Sequence, residues 1–145
     1  MGTNASQLQQ AGLRATVPRL HILEAFEAAS RPLSIDDLWG KVRRFGVDRV
    51  TVYRTAEALS QAGLVRSVDL QHGHSHYERN NPDSHHHHLV CRHCGKIQDV
   101  PVAREEQILE RLARRYQFHP QSHSLEIFGL CAKCQPRTTT DRIRV

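Results

Sequence analysis

The chain has 145 residues, of which 39% are hydrophobic and 24% charged, with a formal net charge of +5. That length suits one domain or two small ones, and no apolar run approaches a membrane span. Positive charge permits nucleic-acid binding but does not place it, because residues 1–80 hold 10 Lys+Arg against 8 Asp+Glu.

Thr16 before Val17-Pro18 marks a helix start, a capping hydroxyl with proline in the first turn. Leu20, Leu23 and Phe26 then give an apolar face. Ser34 is a second N-cap, with Asp37 three residues on as an acidic capping box. Ile35, Leu38, Trp39 and Val42 follow at amphipathic spacing. Asp48 caps a third helix whose core residues are Val52, Ala56 and Leu59 and whose end is Gly63. Residues 65–70 and 74–78 read as two strands around a turn at Gly73.

Three helices followed by a hairpin is the order of a winged helix-turn-helix, whose third helix enters the major groove. Thr51, Arg54, Thr55 and Ala58 are expected on its solvent face, with Tyr53 alongside. Arg54 can take phosphate or guanine, and Tyr53 a thymine methyl or the backbone. Arg14, Arg19 and Arg49 suit flanking phosphates. The competing reading of this half is a plain helical bundle with a solvated charged face.

Residues 87–91 and 96–100 read as strands, 102–116 as a helix and 122–130 as a further strand. On the helix, Ile108, Leu109, Leu112, Ala113 and Tyr116 share one side. All four cysteines fall in two CxxC pairs, Cys91/Cys94 and Cys131/Cys134, with 36 residues between the pairs. They make up one tetrahedral four-thiolate set, the usual donor set for structural zinc. A small unit short of apolar residues gains from such a staple. No secretory leader is evident, so a cytoplasmic setting with reduced thiols is expected, and metal is favoured over disulfides. His85-His86-His87-His88 precede the first pair. In an extended strand, His86 and His88 face one way and His85 and His87 the other, so one strand can serve two metal sites. From residue 136 the chain reads as a frayed polar tail.

The run His-His-His-His-Leu-Val-Cys-Arg-His-Cys-Gly-Lys from His85 resembles the signature of the Fur (ferric uptake regulator) family. So do Ala11-Gly12-Leu13-Arg14-Ala15-Thr16-Val17-Pro18-Arg19, Thr51-Val52-Tyr53-Arg54-Thr55 and His123-Ser124-Leu125-Glu126-Ile127-Phe128-Gly129-Leu130-Cys131. The resemblance covers roughly residues 8 to 135. It implies an α+β protein: a winged-helix DNA-binding domain over 1–80, a hinge at 81–84 and an α/β dimerisation domain over 85–135. Residues 136–145 form the flexible tail. It implies a homodimer that binds a palindromic double-stranded operator when metal-loaded and represses metal-homeostasis genes.

Carried over by residue, Cys91, Cys94, Cys131 and Cys134 match the structural zinc site. His85, His87, Glu106 and His123 match a second site in the dimerisation domain. Glu78, His86 and His88 match the regulatory hinge site, with Asp99 a ligand in some members. Many members supply a further hinge histidine just before the second helix of the DNA-binding unit; Pro32 stands there. His76 shares strand parity with Glu78 and is the expected replacement, then His74, with His72 also on the wing. A nitrogen-and-carboxylate site suits Fe2+, Zn2+, Mn2+ or Ni2+. Carboxylates tilt the reading toward iron, while the wing histidines pull toward zinc or nickel; peroxide sensing stays open. The rivals of another class are a metal-storage protein and a zinc hydrolase. No HExxH occurs, and no enzyme activity is expected.

Overall fold

The computed structural model describes residues 2–81, 86–101, 103–121 and 123–136. It divides into two compact units, Met1–Ser84 and His85–Val145. Most of the expected hinge, residues 82–84, lies outside the described residues, as do His85 and residues 137–145 of the expected tail.

The first unit begins with helix α1 (Gly2–Gln10), which the sequence reading did not anticipate. Helix α2 (Val17–Glu27), strand β1 (Leu33–Ser34) and helix α3 (Ile35–Val42) follow. A 3-10 turn (Arg43–Phe45) leads to helix α4 (Arg49–Gln61), and strands β2 (Val65–Val68) and β3 (His76–Arg79) form the wing. The sheet order is β1-β3-β2, all antiparallel, with Leu33 opposite Tyr77 and Arg66 opposite Glu78. The core is built from one face of each element: Leu8, Ile22, Leu23, Phe26, Leu38, Val42, Val52, Ala56, Leu59, Val65 and Tyr77.

Caps explain where these helices begin. Ser34 accepts from the Asp37 N–H at 3.1 Å, and the Ser34 N–H donates to the Asp37 carboxylate at 3.0 Å. That reciprocal box starts α3 as expected. Asp48 accepts from the Thr51 N–H at 2.8 Å and starts α4. Thr16 is extended and precedes α2, but its hydroxyl makes no capping bond. Pro18 in the first turn supplies the start signal there instead.

The second unit has strands β4 (His87–Cys91) and β5 (Ile97–Val100), helix α5 (Ala103–Arg115) and strand β6 (Glu126–Gly129). Its sheet order is β5-β4-β6, with β4 antiparallel to β5 and parallel to β6. The last strand therefore returns to the first, as the spacing of the CxxC pairs allows.

Candidate metal centres and nucleic-acid face

Two knuckles make the cysteine cluster. In the first, Gly95 donates its N–H to the Cys91 carbonyl at 2.9 Å and Cys91 donates to the Lys96 carbonyl at 2.8 Å. Gly95 has φ +72°, a left-handed turn that a side chain would strain. In the second, the Cys134 N–H donates to the Cys131 carbonyl at 2.8 Å. The β4–β6 pairing places Cys91 opposite Gly129, two residues before Cys131.

All four Sγ atoms lie within 4.8 Å of one another. A tetrahedral zinc with Zn–S bonds of about 2.3 Å sets its sulfurs about 3.8 Å apart. Cys94 Sγ and Cys131 Sγ are 3.8 Å apart. The Cys131 N–H donates to Cys91 Sγ at 3.3 Å, and that bond, followed by the Cys94 N–H, pulls the Cys91 thiol down to about 6. Desolvation and the neighbouring sulfurs push Cys134 up to about 12. Four thiolates this close are stable together only around a cation, so the donor set fits zinc.

The histidine strand separates as its parity demands. His87 turns to one side, where its ring lies 5.2 Å from that of His123, and His123 Nε2 is 4.0 Å from Glu106 Oε1. These three residues offer ligand atoms within 4.8 Å of one another. The expected fourth member, His85, falls outside the described residues. His88 turns the other way: its ring is 5.2 Å from that of His86, and its Nε2 is 3.6 Å from Asp99 Oδ1 on β5. His87 and His88 are both buried. Burying imidazoles at 3% and 2% exposure is costly unless their nitrogens are used, which fits ligand roles.

In the first unit, Glu78 is buried on the central wing strand. Arg66, directly opposite on β2, contacts its Oε1 through Nε at 2.6 Å and Nη2 at 2.5 Å. His76 is buried, and its Nδ1 has no hydrogen-bond partner. Its pKa is lowered by desolvation and by His74 and His72.

The exposed face of α4 carries Val50, Tyr53 and Arg54. Thr51 is half-buried, and its hydroxyl donates to Asp48 at 2.8 Å. Thr55, expected on this face, is buried. It lies three residues after Val52 and four before Leu59, within the stripe that faces the core. Arg49 is exposed and donates Nε to Asp36 at 2.7 Å. Arg14 is exposed, and its carbonyl accepts from Arg19 at 3.1 Å. A cleft of 540 Å³ between the start of α3, α4 and the wing is lined by Asp36, Arg49, Tyr53, Glu57 and His74 among others. Tyr77 donates to Glu57 at 2.6 Å on its wall; burial first, and then that bond, pushes the phenol up to about 12.

A winged helix joined in one chain to a four-thiolate knuckle and a two-faced histidine strand defines a metal-binding regulator of the DNA-binding class. The chain belongs to the ferric uptake regulator family, whose model matches residues 10–128. It is 37% identical over 131 residues to the ferric uptake regulation protein of Cupriavidus metallidurans, covering 88% of this chain and 91% of that one. The solved Vibrio cholerae ferric uptake regulator matches with a TM-score of 0.80 at 33% identity, covering 88% of this chain and 99% of that chain. The Francisella tularensis ferric uptake regulator, solved with iron, matches with a TM-score of 0.76 at 29% identity, covering 85% and 95%. Among the described residues, no helix is long and apolar enough to cross a membrane.

Proposed function

We propose that this chain is a homodimeric, metal-responsive repressor that binds a palindromic double-stranded operator and controls metal-homeostasis genes, with Fe2+ favoured as the sensed metal. The observation that carries the reading is strand β4. It buries His87 toward His123 and Glu106, aims His88 toward Asp99, and ends at Cys91 in the thiolate cluster. A storage protein or hydrolase would have no use for the exposed Tyr53–Arg54 face of α4, and the family is one of regulators rather than enzymes.

In this proposal Cys91, Cys94, Cys131 and Cys134 hold a structural zinc. Glu78, His86, His88 and Asp99 are the regulatory ligands, following the family resemblance. His85, His87, Glu106 and His123 form the second site. Operator contacts fall to Arg14, Arg19, Arg49, Thr51, Tyr53 and Arg54. Regulation is a population shift: metal must favour the DNA-competent arrangement over the others, or it shifts nothing. Dimerisation is supported by α5, where Ile108 and Leu112 are 63% and 51% exposed. An apolar stripe left open in a single chain marks a protein interface. Iron is supported by the mixed nitrogen and carboxylate donors and by the iron held by the Francisella tularensis relative.

The test is anaerobic fluorescence-anisotropy binding to a palindromic operator, with the cysteine zinc retained and Fe2+, Mn2+, Zn2+ and Ni2+ titrated separately. Metal-dependent affinity is expected, lost in a His86→Ala/His88→Ala variant that still holds its zinc. Equal binding with and without metal would refute the sensing role. Operator binding driven by Zn2+ or Ni2+ but not by Fe2+ would establish the zinc- or nickel-sensing alternative, and loss of binding after peroxide treatment the peroxide-sensing one.

A further inference from the structure

Three histidines stand together on the wing, apart from the clusters above. His72 and His74 are exposed in the loop that joins β2 to β3, and His76 opens β3 at 4% exposure. In sequence they form an alternating His-x-His-x-His run. The loop reverses through two left-handed residues, Gln71 at φ +55° and Gly73 at φ +78°. The left-handed region is strained for a residue with a Cβ such as Gln71, so the reversal is held against a local penalty. Its result is to gather the rings. Centroid separations are 4.7 Å for His74–His76, 5.2 Å for His72–His76 and 6.2 Å for His72–His74.

Those separations, 4.7 to 6.2 Å, bracket the spacing a shared cation sets. Imidazoles bound at about 2.1 Å around a tetrahedral ion have ring centres about 5.3 Å apart. His72 and His74 are exposed, so their rings are free of core packing that would fix their rotamers. The buried member points to a ligand independently, because His76 Nδ1 has no hydrogen-bond partner. An unsatisfied buried polar nitrogen is costly, and a metal bond removes that cost.

The carboxylates on the neighbouring helix α3 are engaged elsewhere. Asp36 is paired with Arg49 at 2.7 Å, and Asp37 with Arg31 at 3.2 Å and with Ser34. The donors on offer are therefore three imidazoles, which suit Zn2+, Ni2+ or Cu2+ better than Mg2+ or Ca2+. We propose that His72, His74 and His76 form a further metal site on the wing, taking a borderline dication such as Zn2+ or Ni2+ with the remaining coordination open to solvent. This assigns His76 to the wing and leaves Glu78, His86, His88 and Asp99 as the regulatory set. His74 also lines the cleft that carries Arg49 and Tyr53. A dication there adds positive charge beside the face offered to DNA.

The test uses the full-length chain, reduced and with its cysteine zinc in place, titrated with Ni2+ or Zn2+ against a chromophoric chelator. The comparison is His72→Gln/His74→Gln, two exposed positions where the fold is expected to tolerate the change; melting curves check this. The variant should bind one metal equivalent fewer, with the affinities of the remaining equivalents unchanged. A His86→Ala/His88→Ala chain should keep the wing equivalent, which separates this site from the regulatory one. The same number of equivalents at the same affinities in the wing variant would overturn the site. So would a His76→Ala chain that loses an equivalent which His72→Gln/His74→Gln retains, because His76 would then serve another ligand set.

Discussion

Removing zinc from the cysteine cluster should unfold the second unit and leave the first standing. Among the described residues of the second unit, the buried apolar side chains are Val90 and Cys91. Full burial of a valine contributes about 1.5–3 kcal/mol, while fixing each residue's backbone costs roughly 1–2 kcal/mol. The three strands and α5 are not held by that core. A structural zinc contributes about 10–16 kcal/mol in small zinc-dependent units, as much as a whole domain's typical net stability. The first unit has its own core, from Leu8 through Leu59 to Tyr77, and holds no part of the cluster. Hydrogen exchange read by mass spectrometry on the full chain, reduced and treated with chelator, resolves the two. Amides of β4, β5 and β6 should lose protection while those of α2, α3 and α4 keep it, and Cys131→Ser should reproduce the pattern. Intact protection across β4 and β6 in a chain shown to carry four free thiols would refute the reasoning. Simultaneous loss in both units would refute it as well.

Ser34→Ala breaks the reciprocal cap of α3 and should cost about 0.5–2 kcal/mol, read as a lower urea midpoint with an unchanged slope. Burial opposes ionisation of Asp37, but the bonds from Ser34 and Arg31 win and hold its pKa below 3.8. Its contribution is therefore complete above pH 3.8 and is lost as pH falls through the lower folded value; Asp37→Asn should flatten stability across that window, measured by thermal melts. Arg54→Ala should weaken operator binding and, if the contact is to phosphate, reduce the salt slope by about 0.9, as anisotropy at several ionic strengths would show. Ile108→Asp/Leu112→Asp places two charges on the exposed stripe of α5 and should give a monomer by light scattering; an unchanged mass would move the dimer contact elsewhere.

The elements that sequence revealed best are those with a strong local code. Ser34 and Asp37 announced α3, Asp48 announced α4, and the apolar spacing of Val52, Ala56 and Leu59 set the core face. Helix α1 escaped because GTNASQLQQ has no stripe; Leu8 is its one apolar anchor in the core. Strand β1 is two residues long and exists through its partner Tyr77–His76, a contact no local pattern encodes. Thr55 was misplaced because its polarity outweighed its helical phase. The division of His87 from His88 followed from strand periodicity alone. The association of His87 with Glu106 and His123 needed the fold, since α5 and the segment before β6 bring in the other two ligands. The gathering of His72, His74 and His76 depends on the turn at Gly73, which sequence announced, and on the left-handed Gln71, which it did not.

Strand β4 has a consequence for how errors in assembly are avoided. Sliding it one residue along β5 would present His87 where His88 belongs and exchange the donors offered to the two sides of the sheet. Each position would still receive an imidazole, so the histidines themselves discriminate poorly between the two alignments, and burial of Val90 alone opposes the slip. Cys91 closes the same strand, four residues beyond His87, opposite Gly129. A slipped strand would pull its sulfur a full residue, about 3.3 Å, out of the tetrahedron. The cysteine cluster would therefore work as the zero mark of a ruler, with the histidines as its graduations: the metal proposed to staple the unit would also decide which imidazole each proposed neighbouring site receives.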